Sequence, residues 1–129
     1  TVFGDHEELL ERVPHLLAST ERAIVAAAIH PVVLAARFHG FYEYLHPFLD
    51  GNGRTGRLVS NYVLLRCAHP LIIIPSDCRQ EYISSLKKIR TEATDEHLIR
   101  FFFKMAVQRM KGEIEQKETN TQRFRTFVF

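Results

Sequence analysis

The sequence predicts an all-α fold, a bundle of about six helices arranged around a central helix–loop–helix. Three observations carry that reading. Apolar residues recur at spacings of three and four along most of the chain from His6 to Val107, the period of a helix with one buried stripe. The breaks between these stretches are helix punctuation, at His30-Pro31, His46-Pro47 and His69-Pro70. The one short β-branched run, Leu71 to Ile74, has no neighbour in register to pair with and reads as extended chain against the core. With 129 residues, 46% of them hydrophobic and 25% charged, the chain is one ordinary globular domain with a single core.

Thr1 to Asp5 reads as a short extended piece. From His6 to Ser19 the residues Leu9, Leu10, Val13, Leu16 and Leu17 keep helical spacing, and Pro14 should kink or divide that helix. Ser19-Thr20-Glu21 then reads as a cap opening a second helix through Ala23 to Ile29, apolar nearly all round and expected to be the central buried one. Pro31 takes the favoured first position of the next helix, where Val32, Ala35, Ala36, Phe38, Phe41, Tyr42 and Leu45 form a core face that leads to His46. His39 reads as a satisfied interior histidine or, alternatively, as a support for the loop that follows.

After that loop, Leu58, Val59, Tyr62, Val63 and Leu65 form a helix. Ser76 and Asp77 are placed to cap another, whose inward stripe is Tyr82, Ile83, Leu86 and Ile89, with Arg79 and Tyr82 in its opening turns. Asp95 caps the last, through Leu98, Phe101, Phe102 and Met105. The domain is expected to span 1–118. Residues 119–129 are expected to be a tail or linker, because Thr119-Asn120-Thr121-Gln122 breaks the pattern and Arg123 to Phe129 begins with a period of two.

The chemistry concentrates in His46-Pro47-Phe48-Leu49-Asp50-Gly51-Asn52-Gly53-Arg54-Thr55-Gly56-Arg57. Pro47 should push His46 into an extended turn, leaving its imidazole on a loop, with Phe48 as the loop's apolar anchor. Gly51 and Gly53 permit an amide nest, and the helix that follows points its free N–H groups at the same place. Arg54 and Arg57 lie on one face with Asn61 a turn further on. An imidazole can take a proton near neutral pH, a carboxylate such as Asp50 suits Mg²⁺ beside phosphate oxygens, and guanidinium groups grip phosphates bidentately. A lone Gly-Asn-Gly is an ordinary turn, a lone His-Pro a helix stop, and an arginine pair three apart a solvated face. Turn chemistry does not put all of them in one run.

At these residues the chain resembles the Fic domain family, whose signature His-Pro-Phe-x-Asp/Glu-Gly-Asn-Gly-Arg-x-x-Arg is matched at every specified position. The likeness extends from about Gly4 to Met105 through His30, Pro31, His39, Asn61, Ile72, Ile74, Arg79, Tyr82 and Leu86, and is greatest to the branch holding the animal endoplasmic-reticulum enzyme. The resemblance implies a Fic-type helical bundle with Thr1 to Asp5 as the remnant of a β-hairpin flap that holds the target protein. It implies transfer of AMP from ATP to a Ser, Thr or Tyr hydroxyl, with His46 as general base and Asp50 binding Mg²⁺. Gly51, Asn52 and Gly53 would form the anion hole, Arg54 and Arg57 hold the outer phosphates, and Thr55 and Gly56 complete the nucleotide loop. Tyr82 would line the adenine pocket, although the pattern alone fits a core tyrosine as well.

Gly53 favours nucleotide transfer over the phosphorylation of the Doc-like branch, which has Lys there. Arg90 stands where relatives often have Asn, so transfer of UMP, phosphocholine or phosphate is the alternative, and a non-catalytic nucleotide- or partner-binding module a third. The family's inhibitory motif, Ser or Thr followed four residues later by Glu, does not occur between Thr1 and Phe129. Inhibition is therefore expected from a missing helix or from another chain.

The net charge of +2, without a basic run outside the motif, gives no argument for a nucleic-acid partner. No apolar run reaches the ~18 residues of a membrane span. Cys67 and Cys78 lack metal-ligand spacing and read as free thiols. The chain opens on Thr1 without an initiator Met and reads as an excised piece whose default compartment is the bacterial cytoplasm. Its oligomeric state and target have no code in the sequence.

Overall fold

A computed structural model describes residues 6–128, and the expected extended piece Thr1 to Asp5 lies outside the described residues. The described chain is helical without strands: α1 (His6–Ala26), α2 (Pro31–Leu45), α3 (Asn52–Arg66), α4 (Arg79–Thr91) and α5 (Glu96–Val128), with a 3₁₀ turn at Ser76–Cys78 ahead of α4. The all-α bundle is as expected, with five α-helices in place of six. No described helix is long and apolar enough to cross a membrane.

The sixth helix is missing because α1 does not break. Pro14 lies on its exposed side, and the helix continues through it. Ser19 and Thr20, expected as a cap, instead donate their hydroxyls backward to the carbonyls of His15 (2.7 Å) and Leu16 (2.8 Å), so the backbone runs on as helix. The turn comes at Ala27, in the left-handed region with φ 52°. The Ala23 to Ile29 run is consequently a helix end and turn at the surface, with Val25 75% exposed, and not the central helix.

That place belongs to α2, which packs on all four other α-helices. His30 caps it by accepting the Val32 N–H at Nδ1 (3.1 Å), with Pro31 at the first position. Val32, Ala35, Ala36 and Phe38 are buried against Val63 and Leu64 of α3 and Leu98, Phe101, Phe102 and Met105 of α5. Gly56 and Ser60 make the contact face of α3 small enough to lie close on α2, which turns Leu58, Tyr62 and Leu65 outward.

Leu71 to Ile74 is extended and unpaired among the described residues, as expected. What holds it is Asn61, whose side chain donates to the Ile72 carbonyl (3.1 Å) and accepts the Ile72 N–H (2.9 Å). Asn61 therefore turns away from the arginine face that its spacing suggested. Neither Ser76 nor Asp77 caps α4 through its side chain; the 3₁₀ turn feeds the helix directly. Before α5, the Glu96 N–H bonds the Thr94 hydroxyl (3.2 Å), while Asp95 pairs with Arg37 (3.4 Å).

The pattern break near Thr119 does not end α5. No Gly or Pro follows Gly112, and Thr121 and Thr126 bond back to the carbonyls of Lys117 and Gln122, so the helix continues with every side chain from Met110 to Thr126 exposed. Cys67 and Cys78 are free thiols.

Candidate functional site

The C-terminus of α2 and the N-terminus of α3 meet across a turn of Pro47 to Gly51. His46 closes α2 through its N–H to the Tyr42 carbonyl (3.0 Å), with φ 50° and ψ 60°. Pro47 excludes the helical region as expected, but the backbone takes the left-handed well and not the extended one. That conformation costs an L-residue roughly 1–2 kcal/mol and closes the helix here as it does at Ala27, Ala68 and Ala93 past the other helix ends. The imidazole is half-buried along a cavity of about 250 Å³, walled by Glu43, Tyr44, Ile83, Lys87 and Arg90 among others.

Phe48 is not the loop's anchor; it is 54% exposed. The anchor is Asn52, buried at the first position of α3, which accepts the Phe48 N–H (2.9 Å) and donates to the Phe48 carbonyl (2.6 Å). Gly51 caps α3 in the left-handed region with φ 77°. Its N–H is engaged by the Asp50 carboxylate (2.7 Å), so the nest begins one residue later than the glycine spacing suggested. The first intrahelical bond runs from the Thr55 N–H to the Gly51 carbonyl (3.0 Å), which leaves the amides of Asn52, Gly53 and Arg54 as the first-turn donors at the positive end of the helix dipole. The Thr55 hydroxyl also bonds Gly51 O (2.9 Å) and tightens this turn.

Gly53 and Arg57 line a second cavity of about 450 Å³ with Ser76, Arg79 and Tyr82. Glu43, Ile83 and Leu86 wall both cavities, which makes one groove between the motif turn and α4, with His46 toward one end and Arg57 toward the other. Gly56 is buried in the α2–α3 contact, where an added Cβ would stand 3.0 Å from Glu43 Oε1 and 3.2 Å from His39 Cε1. Asp50 and Arg54 sit on the exposed shoulder of the turn, outside both cavity walls, with Asp50 Oδ2 3.8 Å from Arg54 Nη2. The structure thus brings His46, Gly53, Arg57 and Tyr82 to one groove and leaves Arg54 beside it.

Beneath the groove lies a polar layer. His39 is fully buried, with Nδ1 3.1 Å from the Ser60 hydroxyl and Nε2 2.6 Å from the Tyr82 hydroxyl. Burial holds its imidazole down at about 4, so it is neutral at physiological pH. Burial, reinforced by the Glu43 charge, pushes the Tyr82 phenol up to about 12 against the opposing pull of Arg57. Burial also raises the Glu43 carboxyl, while Arg57 draws it back, and Oε1 of Glu43 has no hydrogen-bond partner. Glu43 was not singled out by sequence reasoning; the available signal is a lone carboxylate among Phe41, Tyr42, Tyr44 and Leu45, three residues before His46. Arg90 donates to the Tyr44 carbonyl (2.9 Å), with its guanidinium 4.8 Å from the Tyr44 ring centroid, and so occupies the far wall of the groove.

No cluster of three metal-ligating side chains occurs among the described residues. Asp50 nevertheless fits a cation of the Mg²⁺ type. Its carboxylate is 96% exposed, with Oδ1 taken by the Gly51 N–H and Oδ2 held only by a loose 3.8 Å pairing with exposed Arg54, which suits an ion bound through a single carboxylate plus phosphate oxygens.

The family model for the Fic/DOC family matches residues 1–64. Curated relatives named protein adenylyltransferase Fic from Drosophila grimshawi and Drosophila virilis are each 42% identical over 84 residues, or 65% of this chain. The chain spans only about a sixth of their length, 17% and 16% respectively. Among solved structures, a Fic-domain signaling protein from Bacteroides thetaiotaomicron is similar with a TM-score of 0.77 and 27% identity, over 82% of this chain and 44% of that one. Fic-1 from C. elegans follows with a TM-score of 0.74 and 29% identity, over 85% of this chain and 34% of that one. The motif turn, the helices that hold it and these likenesses lead to one family: the chain belongs to Fic/DOC.

Proposed function

We propose that the chain is the catalytic core of a protein adenylyltransferase, which moves AMP from ATP to a Ser, Thr or Tyr hydroxyl of a target protein and releases pyrophosphate. One observation carries this reading. Two adjoining cavities share the Glu43, Ile83 and Leu86 wall, with His46 lining one and Gly53, in the first turn of α3, and Arg57 lining the other, which supports a base, an anion site and a phosphate grip side by side.

In this reading His46 takes the proton of the target hydroxyl, whose oxygen attacks the α-phosphorus as the bond to the β-phosphate oxygen breaks. The amides of Asn52, Gly53 and Arg54 face the charge that builds on the α-phosphate oxygens, and Arg57 holds the leaving pyrophosphate. Asp50 would hold Mg²⁺, which supplies charge neutralisation on the phosphates when bound. The names of the relatives support ATP as donor.

The test is to incubate the chain with Mg²⁺, cell lysate and ATP labelled on the α-phosphate. Label should pass to protein, and His46→Ala should abolish transfer while ATP binding persists. Label that survives in the His46→Ala protein would remove the mechanism. A second reading, transfer of UMP, phosphocholine or phosphate, is favoured by one observation, the Arg90–Tyr44 pair at the wall of the groove. Competition among labelled donors separates the two. ATP binding without transfer would leave a binding module.

A further inference from the structure

We propose that His39 is a positioning residue for Arg57, acting through the hydroxyl of Tyr82. The proposal rests on the reading of Arg57 as a phosphate grip and adds a device beneath it.

The Ser60 hydroxyl has one hydrogen, and it lies 2.7 Å from the Gly56 carbonyl, to which it donates. Toward His39 Nδ1, 3.1 Å away, Ser60 can then only accept, so the imidazole proton is on Nδ1. A neutral imidazole has only that one proton, which makes Nε2 an acceptor. Neutrality is secured by burial, which holds the ring at about 4.

The Tyr82 hydroxyl, 2.6 Å from Nε2, must therefore donate inward. Its single proton is spent, and the lone pairs on its oxygen are left for a donor on the groove side. Arg57 is there: its guanidinium stands 6.0 Å from the Tyr82 ring centroid and pulls against the burial that raises the phenol. The same guanidinium leans over the motif turn, since a Cβ on Gly53 would meet Arg57 Nη1 at 3.2 Å. The buried chain from Gly56 through Ser60, His39 and Tyr82 thus presents a fixed acceptor to the cation that would hold the nucleotide. With the proton on Nε2 instead, the phenol hydrogen would be free to point at a positive charge.

Two spectra of the full chain test the device without nucleotide. Long-range ¹H–¹⁵N NMR of the imidazole should show His39 as the Nδ1–H tautomer; an Nε2–H tautomer overturns the proposal. The side-chain N–H signal of Arg57 should shift and lose order in Tyr82→Phe and remain in His39→Gln, which keeps a donor and an acceptor. An Arg57 signal indifferent to Tyr82→Phe also overturns it. In function, Tyr82→Phe should weaken Mg–ATP binding about tenfold, beyond the fall in unfolding midpoint that an unpartnered His39 Nε2 brings, and add nothing to binding in an Arg57→Ala background. Equal weakening with and without Arg57 would assign Tyr82 a direct ligand contact and end the positioning role. Absence of Mg–ATP binding in the unaltered protein would count against the transferase reading and leave the device to stand or fall on the two spectra.

Discussion

The side chain of Asn52 bonds both the N–H and the carbonyl of Phe48, at 2.9 and 2.6 Å, and so closes the motif turn on itself with one buried amide. The apolar side chains of that turn, Phe48 and Leu49, face solvent and contribute little to its shape. Rigidity here comes from hydrogen bonds, and it is what fixes His46 relative to the first amides of α3. Asn52→Ala should leave both Phe48 groups without their partner, at a cost of about 1–3 kcal/mol, and lower transfer at least about tenfold. Amide exchange at Phe48 reports it directly: protection retained in the Asn52→Ala protein would show that another contact holds the turn.

Two glycines of the motif should respond to alanine in opposite ways. A Cβ on Gly56 would stand 3.0 Å from Glu43 Oε1, 3.1 Å from Tyr42 Cδ1 and 3.2 Å from His39 Cε1, inside the α2–α3 seam. Gly56→Ala should therefore destabilise by about 1–3 kcal/mol, because packed helices must part. A Cβ on Gly53 meets only the far ends of Arg57 and Glu43, at 3.2 and 3.8 Å. Gly53→Ala should leave the unfolding midpoint intact and weaken ATP binding by displacing Arg57. Urea unfolding and a nucleotide titration on the two variants separate fold from function.

The helical class, the placement of His46 at a helix end and the interior setting of His39 were legible in the sequence, because each rests on local rules of period and proline punctuation. The signature run was legible through the residue types it gathers and through its resemblance to a known motif. What was not legible depends on partners distant in sequence or on competition between two local rules. Ser19 and Thr20 could cap a helix or bond backward within one, and only the packing of α1 on α2 decides for the latter. Asn61 has the spacing of an arginine-face residue, yet the extended chain at Ile72 claims both ends of its amide. Glu43 draws no notice as one carboxylate on an apolar helix, and only the approach of Gly53 and Gly56 shows that it walls the groove.

Acid should unfold this protein partly through His39. The ring titrates at about 4 in the folded chain against an ordinary 6.5, because burial disfavours the charged form. The unfolded chain therefore binds a proton that the folded one refuses, and stability falls as pH drops from about 6.5 towards about 4. The full loss corresponds to about 3 kcal/mol, most of it reached by the lower limit. His39→Gln should flatten this part of the profile. Urea midpoints of both proteins at several pH values check it, and parallel curves would exclude His39 as the acid-sensitive group.

Glu43 carries the opposite sign. Burial raises its carboxyl above the ordinary carboxylate range, with Arg57 pulling the other way, and Oε1 has no hydrogen-bond partner. A raised folded pKa means that the stability Glu43 contributes is present in acid and lost as pH rises through that value. Glu43→Gln should accordingly raise the unfolding midpoint at neutral pH, with the gain shrinking on acidification. The same charge stands in the wall between His46 and Arg57 and draws on that arginine, so under the proposed function it works against a bound polyphosphate. Neutralising it should tighten Mg–ATP binding by at least about threefold. A titration in which Glu43→Gln instead binds ATP more weakly would mean that the carboxylate accepts a hydrogen bond from the nucleotide.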